Sequence, residues 1–160
     1  GLMACAWGKM EQADEGETAV LVPVPLHSSR QRERGFNQAE LLARGLSAAL
    51  AKSLGERAPR VEARALRRTR ATPPQTGLSL SARRENVRGV FAVPDAARVR
   101  DRVIVLVDDV MTTGATVSAC AAALKSAGAR VVVALTLARA TPQFGDFGAG
   151  NASAVVDDFL

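Results

Sequence analysis

Val103–Val107 is five consecutive residues, every one of them Val, Ile or Leu. A run with no polar alternation is the pattern of a strand buried on both faces. A polar stretch, Asp108–Gly114, follows without a break, and then Thr116–Ala127, alanine-rich and closed by Gly128. Arg130–Leu137 returns to a β-branched apolar run. Strand, loop, helix and strand fit into 35 residues, the size of a βαβ crossover. Two strands joined in this way are parallel, and a parallel sheet needs helices on both faces. The expectation is an α/β fold with a central parallel sheet flanked by helices.

The rest of the chain supplies further elements. Val20–Val24 is a short apolar run closed by Pro23 and Pro25, read as a strand ending in a loop. Asn37–Leu54 is read as an amphipathic helix with Leu41, Leu42, Leu46, Ala49 and Leu50 on its buried face and Gly55 at its end. Val61–Leu66 is expected as a second strand, Arg67–Thr76 as a basic loop, Ser79–Val87 as a short helix and Gly89–Val93 as an edge strand. Leu2–Gln12 has helical spacing. Residues 1–140 then form one domain, with a small hood at about 66–93, and 141–160 read as an appended tail.

Charge is distributed unevenly. Between His27 and Arg88 stand 14 basic and 5 acidic side chains, against 7 and 11 elsewhere, and only Lys9, Lys52 and Lys125 are lysines. An arginine-rich first half points to an anionic ligand. Five Phe, one Trp and no Tyr argue against an aromatic surface for stacking bases. Cys5, Cys120 and the single His27 cannot assemble a zinc site. Two cysteines so far apart fit reduced thiols and a cytoplasmic location. No apolar stretch approaches the ~20 residues of a membrane span, and residues 1–19 lack a signal-peptide pattern, so no membrane insertion is expected.

The chemistry concentrates after Val107. A central strand delivers its loop to the carboxyl edge of a parallel sheet, where open α/β folds bind ligands. The loop then opens a helix whose first N–H groups and dipole attract phosphate. Gly114 allows a tight turn around an anion, and Thr112, Thr113 and Thr116 bring hydroxyl donors. Asp108 and Asp109 would repel a phosphate unless they face another part of the ligand. They suit vicinal sugar hydroxyls, or a Mg²⁺ ion held directly or through water. Asp-Asp alone is equally a cap pair, and Thr-Gly alone a plain turn. Neither Gly-x-Gly-x-x-Gly nor Gly-Lys-Ser/Thr occurs.

The whole stretch Val103–Thr116, including Ala115, resembles the phosphoribosyl-pyrophosphate (PRPP) binding motif of type I phosphoribosyltransferases: apolar residues, two acids, two more residues, then Thr-Thr/Ser-Gly-x-Thr. Val22-Pro-Val-Pro-Leu-His27, Arg34-Gly-Phe-Asn-Gln38, Arg68-Thr69 with Gln75, and Arg84-Glu-Asn-Val87 resemble the ComF family of competence-associated proteins. That resemblance spans about Val20 to Arg139. It implies a type I phosphoribosyltransferase-like, Rossmann-like fold without the four-cysteine zinc module that commonly opens ComF proteins, so that the chain reads as a short, truncated or diverged member.

The resemblance implies a division of labour. Asp108 and Asp109 would fix the ribose, with Mg²⁺ as cofactor, and Thr112–Thr116 would hold the 5-phosphate. Pro25, Leu26, His27 and Arg30 would cradle pyrophosphate, with Arg30, Arg32 and Arg34 on one side of an extended segment. Arg34, Asn37, Gln38, Arg68, Gln75, Arg84 and Asn86 would serve the hood and substrate. Asn37 is also a helix cap candidate, and Phe36 and Leu41 are expected in the core. Transfer would proceed by attack at C1 with inversion as pyrophosphate leaves, through a transition state of oxocarbenium character. Thr112 stands where enzymes acting on 6-oxopurines resemble one another in carrying Asp, which makes hypoxanthine and guanine poor substrate candidates. Three readings stand: a phosphoribosyltransferase supporting DNA uptake, a non-catalytic PRPP or nucleotide sensor, and an accessory protein meeting single-stranded DNA or another competence protein. A homodimer is compatible with each.

Overall fold

The computed structural model describes residues 19–70, 86–87 and 89–139. In chain order the elements are β1 (Val20–Pro23), α1 (Ser28–Arg34), α2 (Gln38–Leu54), β2 (Arg60–Val61), β3 (Arg67–Arg68), β4 (Phe91–Ala92), β5 (Val103–Met111), α3 (Ala115–Ser126) and β6 (Val131–Arg139). The main sheet has the order β2-β1-β5-β6, and each neighbouring pair is parallel. β3 and β4 pair antiparallel in a separate small sheet.

Side-chain alternation along the strands divides the core in two. Ile104 and Leu106 of β5 join Val20 and Val22 of β1 and Val132 and Ala134 of β6 under α3 and the small sheet. Val105 and Val107 join Leu21, Val133 and Leu135 on the opposite face, under Ala43, Leu46 and Leu50 of α2. Both faces of β5 are therefore covered, as an unbroken apolar run requires. The parallel sheet with flanking helices matches the fold class read from the sequence.

Several local readings change. The buried stripe of α2 is Ala39, Ala43, Leu46 and Leu50, a spacing of four, three and four, whereas Leu41 is 57% exposed and Ala49 faces solvent. Phe36 is likewise 48% exposed. Arg30, Arg32 and Arg34 are not extended: Ser28–Arg34 is helical, capped by His27 and ended by Gly35 in the left-handed region at φ 78°. At 100° per residue Arg30 and Arg34 share a side and Arg32 points away. Val61–Leu66 is a strand only at its first residue, because β2 is the two residues Arg60–Val61. Arg67 and Arg68, expected in a loop, pair with Ala92 and Phe91. The expected helix at Leu2–Gln12, most of that at Ser79–Val87 and the 141–160 tail lie outside the described residues. Among the described residues no helix is long and apolar enough to cross a membrane.

Leu106, 1% exposed, and Leu41 make a discriminating pair. Leu106→Ala is expected to cost ~2–5 kcal/mol of unfolding free energy and Leu41→Ala less than ~0.5 kcal/mol. Urea titration measures both, and equal losses would contradict the observed face of α2.

Candidate functional site

Parallel pairing brings the carboxyl ends of β1 and β5 to one edge. Pro23 is in register with Val107, and one residue further the Val24 N–H donates to the Val107 carbonyl at 2.9 Å. The chain leaving β1 is then fixed by Asn37, whose Nδ2 donates to the Val24 carbonyl at 3.0 Å while its Oδ1 accepts from the Ala39 N–H at 3.1 Å. Asn37 thus caps α2 and ties it to the end of β1, a dual use that explains a buried amide at 9% exposure.

β5 continues through the acidic pair. Asp108 is in register with Thr136 of β6 and Val110 with Ala138, so both acids are strand residues, not loop residues. Alternation from Ile104 and Leu106 puts Asp108 on the α3 face, and it does not continue to Met111, which packs in the same α3-side core. The Asp109 N–H donates to Asp108 Oδ1 at 3.0 Å, and the Val110 N–H to Asp109 Oδ1 at 2.8 Å. Burial, and then the charge of Asp109, push the Asp108 carboxyl up to about 7. Cys120 of α3 is fully buried on the same face, and burial, with Asp108 adding to it, raises its thiol well above the usual range, which makes it an inert core residue.

The turn into α3 is set by Gly114 at φ 74° and ψ −1°, a left-handed conformation that disfavours side-chain-bearing residues. As N-cap, glycine offers no side chain to the first-turn amides. Thr113 Oγ1 accepts from the Ala115 N–H at 3.4 Å, and the Ser118 N–H donates to the Gly114 carbonyl at 2.8 Å. Thr112, Thr113, Gly114, Ala115 and Thr116 wrap a cavity of about 30 Å³ beside Asp108, an arrangement suited to a phosphate group.

A second cavity of about 130 Å³ adjoins it through Asp108 and Thr116. Asp109 enters from β5, and Pro25 and Leu26 from the loop after β1. Arg34, Asn37 and Gln38 enter from the corner between α1 and α2, where Arg34 Nη1 donates to Gln38 Oε1 at 3.4 Å. Arg68 reaches in from the small sheet, its guanidinium 5.6 Å from the centre of the Phe91 ring. Burial, and then the neighbouring charge of Arg30, lower its pKa.

Most residues singled out in the sequence therefore meet at this edge. His27 and Arg30 do not line the cavity: His27 Nδ1 accepts from the Ser29 N–H at 3.3 Å and contacts Ser29 Oγ at 2.8 Å, capping α1. Asn86 is half-buried away from both cavities, and Gln75 and Arg84 lie outside the described residues. A third cavity of about 650 Å³ shares Pro25, Leu26, Asn37 and Arg68 with the second and brings in Arg44, Arg64 and Arg67. The sequence reading did not include Arg44 or Arg64 among the site residues. Arg44 sits two turns after the Asn37 cap, a spacing that could have flagged it, whereas nothing local marks Arg64.

Among the described residues no group of three or more His, Cys, Asp or Glu side chains is placed to hold a metal ion. The donor set nevertheless fits Mg²⁺, which is commonly held by one or two carboxylates with the remaining positions filled by substrate phosphates and water. A divalent charge would relieve the repulsion that disfavours ionised Asp108 beside Asp109.

The raised Asp108 carboxyl has a definite consequence for stability. The folded state binds this proton more tightly than the unfolded state, whose carboxyl titrates near 3.8. The stabilisation is complete below that value and is lost as pH rises through about 7. Asp108→Asn is therefore expected to match the wild type near pH 4 and to exceed it at pH 8 by ~2–4 kcal/mol, read by urea unfolding at both pH values. A constant difference would contradict the burial of ionised Asp108.

Comparison with known proteins bears on the fold and the family. Residues 33–146 match the phosphoribosyl transferase domain. The "DNA utilization protein YhgH" of Escherichia coli O6:H1 is 39% identical over 119 residues, 74% of this chain and 48% of that protein. "Competence protein F" of Haemophilus influenzae is 36% identical over 121 residues, 75% of this chain and 50% of that protein. The chain spans about half the length of these curated relatives. Hypoxanthine-guanine phosphoribosyltransferase from Schistosoma mansoni, solved with IMP, superimposes with a TM-score of 0.50 at 17% identity, covering 86% of this chain and 52% of that one, a likeness of fold. The chain belongs to the phosphoribosyl transferase domain family, and among its members it is ComF-like.

Proposed function

We propose that the sheet-edge site binds PRPP with Mg²⁺ and transfers its phosphoribosyl group to an acceptor, in a protein that serves DNA uptake or utilisation. The observation that carries this reading is the shared edge itself. Two carboxylates, a threonine-rich phosphate cradle and two arginines, Arg34 and Arg68, meet at two adjoining cavities, in the order needed by a sugar with anions at both ends. The relatives named for competence and DNA utilisation support the biological setting.

In this reading Thr112–Thr116 and the first amides of α3 hold the 5-phosphate. Asp108 and Asp109, adjacent on β5 and both lining the second cavity, accept hydrogen bonds from the ribose hydroxyls and fix the ring for attack at C1. The Pro25–Leu26 backbone and Arg68 face the diphosphate. Arg68 is already ordered over Phe91, so its charge opposes the growing charge on the leaving group with little reorganisation. Asp108 and Asp109 would hold the Mg²⁺, which would supply positive charge to offset that of the diphosphate. Arg30 lines neither cavity and in this reading makes no direct contact with the diphosphate. Thr112 opens only into the smaller cavity, consistent with a phosphate role rather than proton transfer to a base.

Calorimetry with PRPP and Mg²⁺ tests this. Asp108→Asn/Asp109→Asn is expected to weaken binding at least ~10-fold, equivalent to about 1.4 kcal/mol, and Arg68→Gln to do so without altering affinity for ribose 5-phosphate. Unchanged PRPP affinity in the Asp variant would overturn the assignment. Binding without pyrophosphate release across candidate acceptors would leave the sensor reading in its place.

A further inference from the structure

The cavity of about 650 Å³ beyond Arg68 is not needed by the scheme above. It is walled by α1, by α2 and by the segment leading into the small sheet, and its volume is that of a small-molecule site. Its apolar lining includes Leu66 at 2% exposure. Its charged groups are Arg44, Arg64, Arg67 and Arg68 against the single acid Glu40.

The nearby acids are already engaged. Glu40 accepts from Arg44 at 2.7 Å. Glu62, two residues before Arg64, accepts from Arg98 at 2.9 Å, and Asp95, next to the lining residue Pro94, accepts from Arg98 at 3.2 Å. Among the described residues Arg64 and Arg67 have no acidic partner. Two guanidiniums with no acidic partner among the described residues, on a cavity shared with a third whose charge burial already disfavours, make a site that an anion would complete.

We propose that Arg64 and Arg67 form an anion subsite for a phosphate group carried by a second molecule, so that the acceptor is a phosphorylated compound. This rests on the PRPP reading of the neighbouring cavity. The two cavities share Pro25, Leu26, Asn37 and Arg68, so occupants of both would meet across Arg68. No aromatic residue lines the cavity among the described residues, which favours a compact anion over a strand of nucleic acid needing stacked bases.

Phenyl phosphate, a phosphate monoester without ribose, is the probe, titrated calorimetrically into protein saturated with PRPP and Mg²⁺. Wild type is expected to bind one equivalent. Arg64→Gln/Arg67→Gln is expected to lose that binding at least ~10-fold while PRPP affinity stays within ~3-fold; both side chains are exposed, and circular dichroism checks the fold. A fall in PRPP affinity as large as in Asp108→Asn/Asp109→Asn would overturn the proposal and give the two arginines to the diphosphate arm. Phenyl phosphate binding that is absent in wild type, or unchanged in the arginine variant, would overturn it as well. So would displacement of phenyl phosphate by a labelled oligothymidine, which would make the face a nucleic-acid surface. If wild type binds no PRPP, the transferase reading falls on its own. Arginine-dependent binding of phenyl phosphate to the ligand-free protein then still supports the subsite, and arginine-independent binding overturns it.

Discussion

The parallel ladder between β1 and β5 is the constraint on which the rest depends. It sets Pro23 beside Val107 and ends in the bond from Val24 to Val107. The proline-bearing loop and the acidic pair therefore leave the sheet at the same edge, although more than eighty residues separate them in the chain. A slip of one position would send Ile104 and Leu106 to the α2 face and carry Asp108 with them. Asn37 extends the same constraint outward by bonding the Val24 carbonyl and capping α2. Helix, loop and strand end are one assembly.

Within that frame the electrostatics are arranged by burial. Asp108, beside a second carboxylate and behind a strand end, is held up to about 7, and Arg68 is pulled the other way by burial and by Arg30. Each group loses charge stability in the ligand-free protein. A ligand with hydroxyls for the acids and anions for the arginine would recover it at both. Strained titration at a sheet edge is a frequent property of sites that act on charged ligands, and here it coincides with the left-handed Gly114 turn.

The sequence made legible whatever was local and periodic. β5, α3 and β6 come from an apolar run, a glycine stop and a second run, and their observed ends differ from the sequence reading by at most a few residues. The acids were placed in a loop because polarity ends an apolar run, but β6 continues alongside them and keeps Asp108 paired. Ser28–Arg34 escaped detection for a different reason. It buries no residue, so no hydrophobic period exists to read, and only the His27 cap and Gly35 mark its ends. Leu46 and Leu50 face β1 and β5 as the helical spacing predicts, but the rest of the stripe is the small residues Ala39 and Ala43, which leaves the larger Phe36 and Leu41 exposed. Arg68 was legible as a basic residue, while its seat over Phe91 depends on a pairing across 23 positions that no local pattern encodes.

In the proposed reading one ligand spans both loops at the sheet edge. Amide hydrogen exchange with and without PRPP and Mg²⁺ tests it most directly. Protection is expected to rise together in residues 112–118 and in residues 24–39, with a common dependence on ligand concentration. Protection confined to one of these segments, or appearing at two different ligand concentrations, would contradict a single shared site.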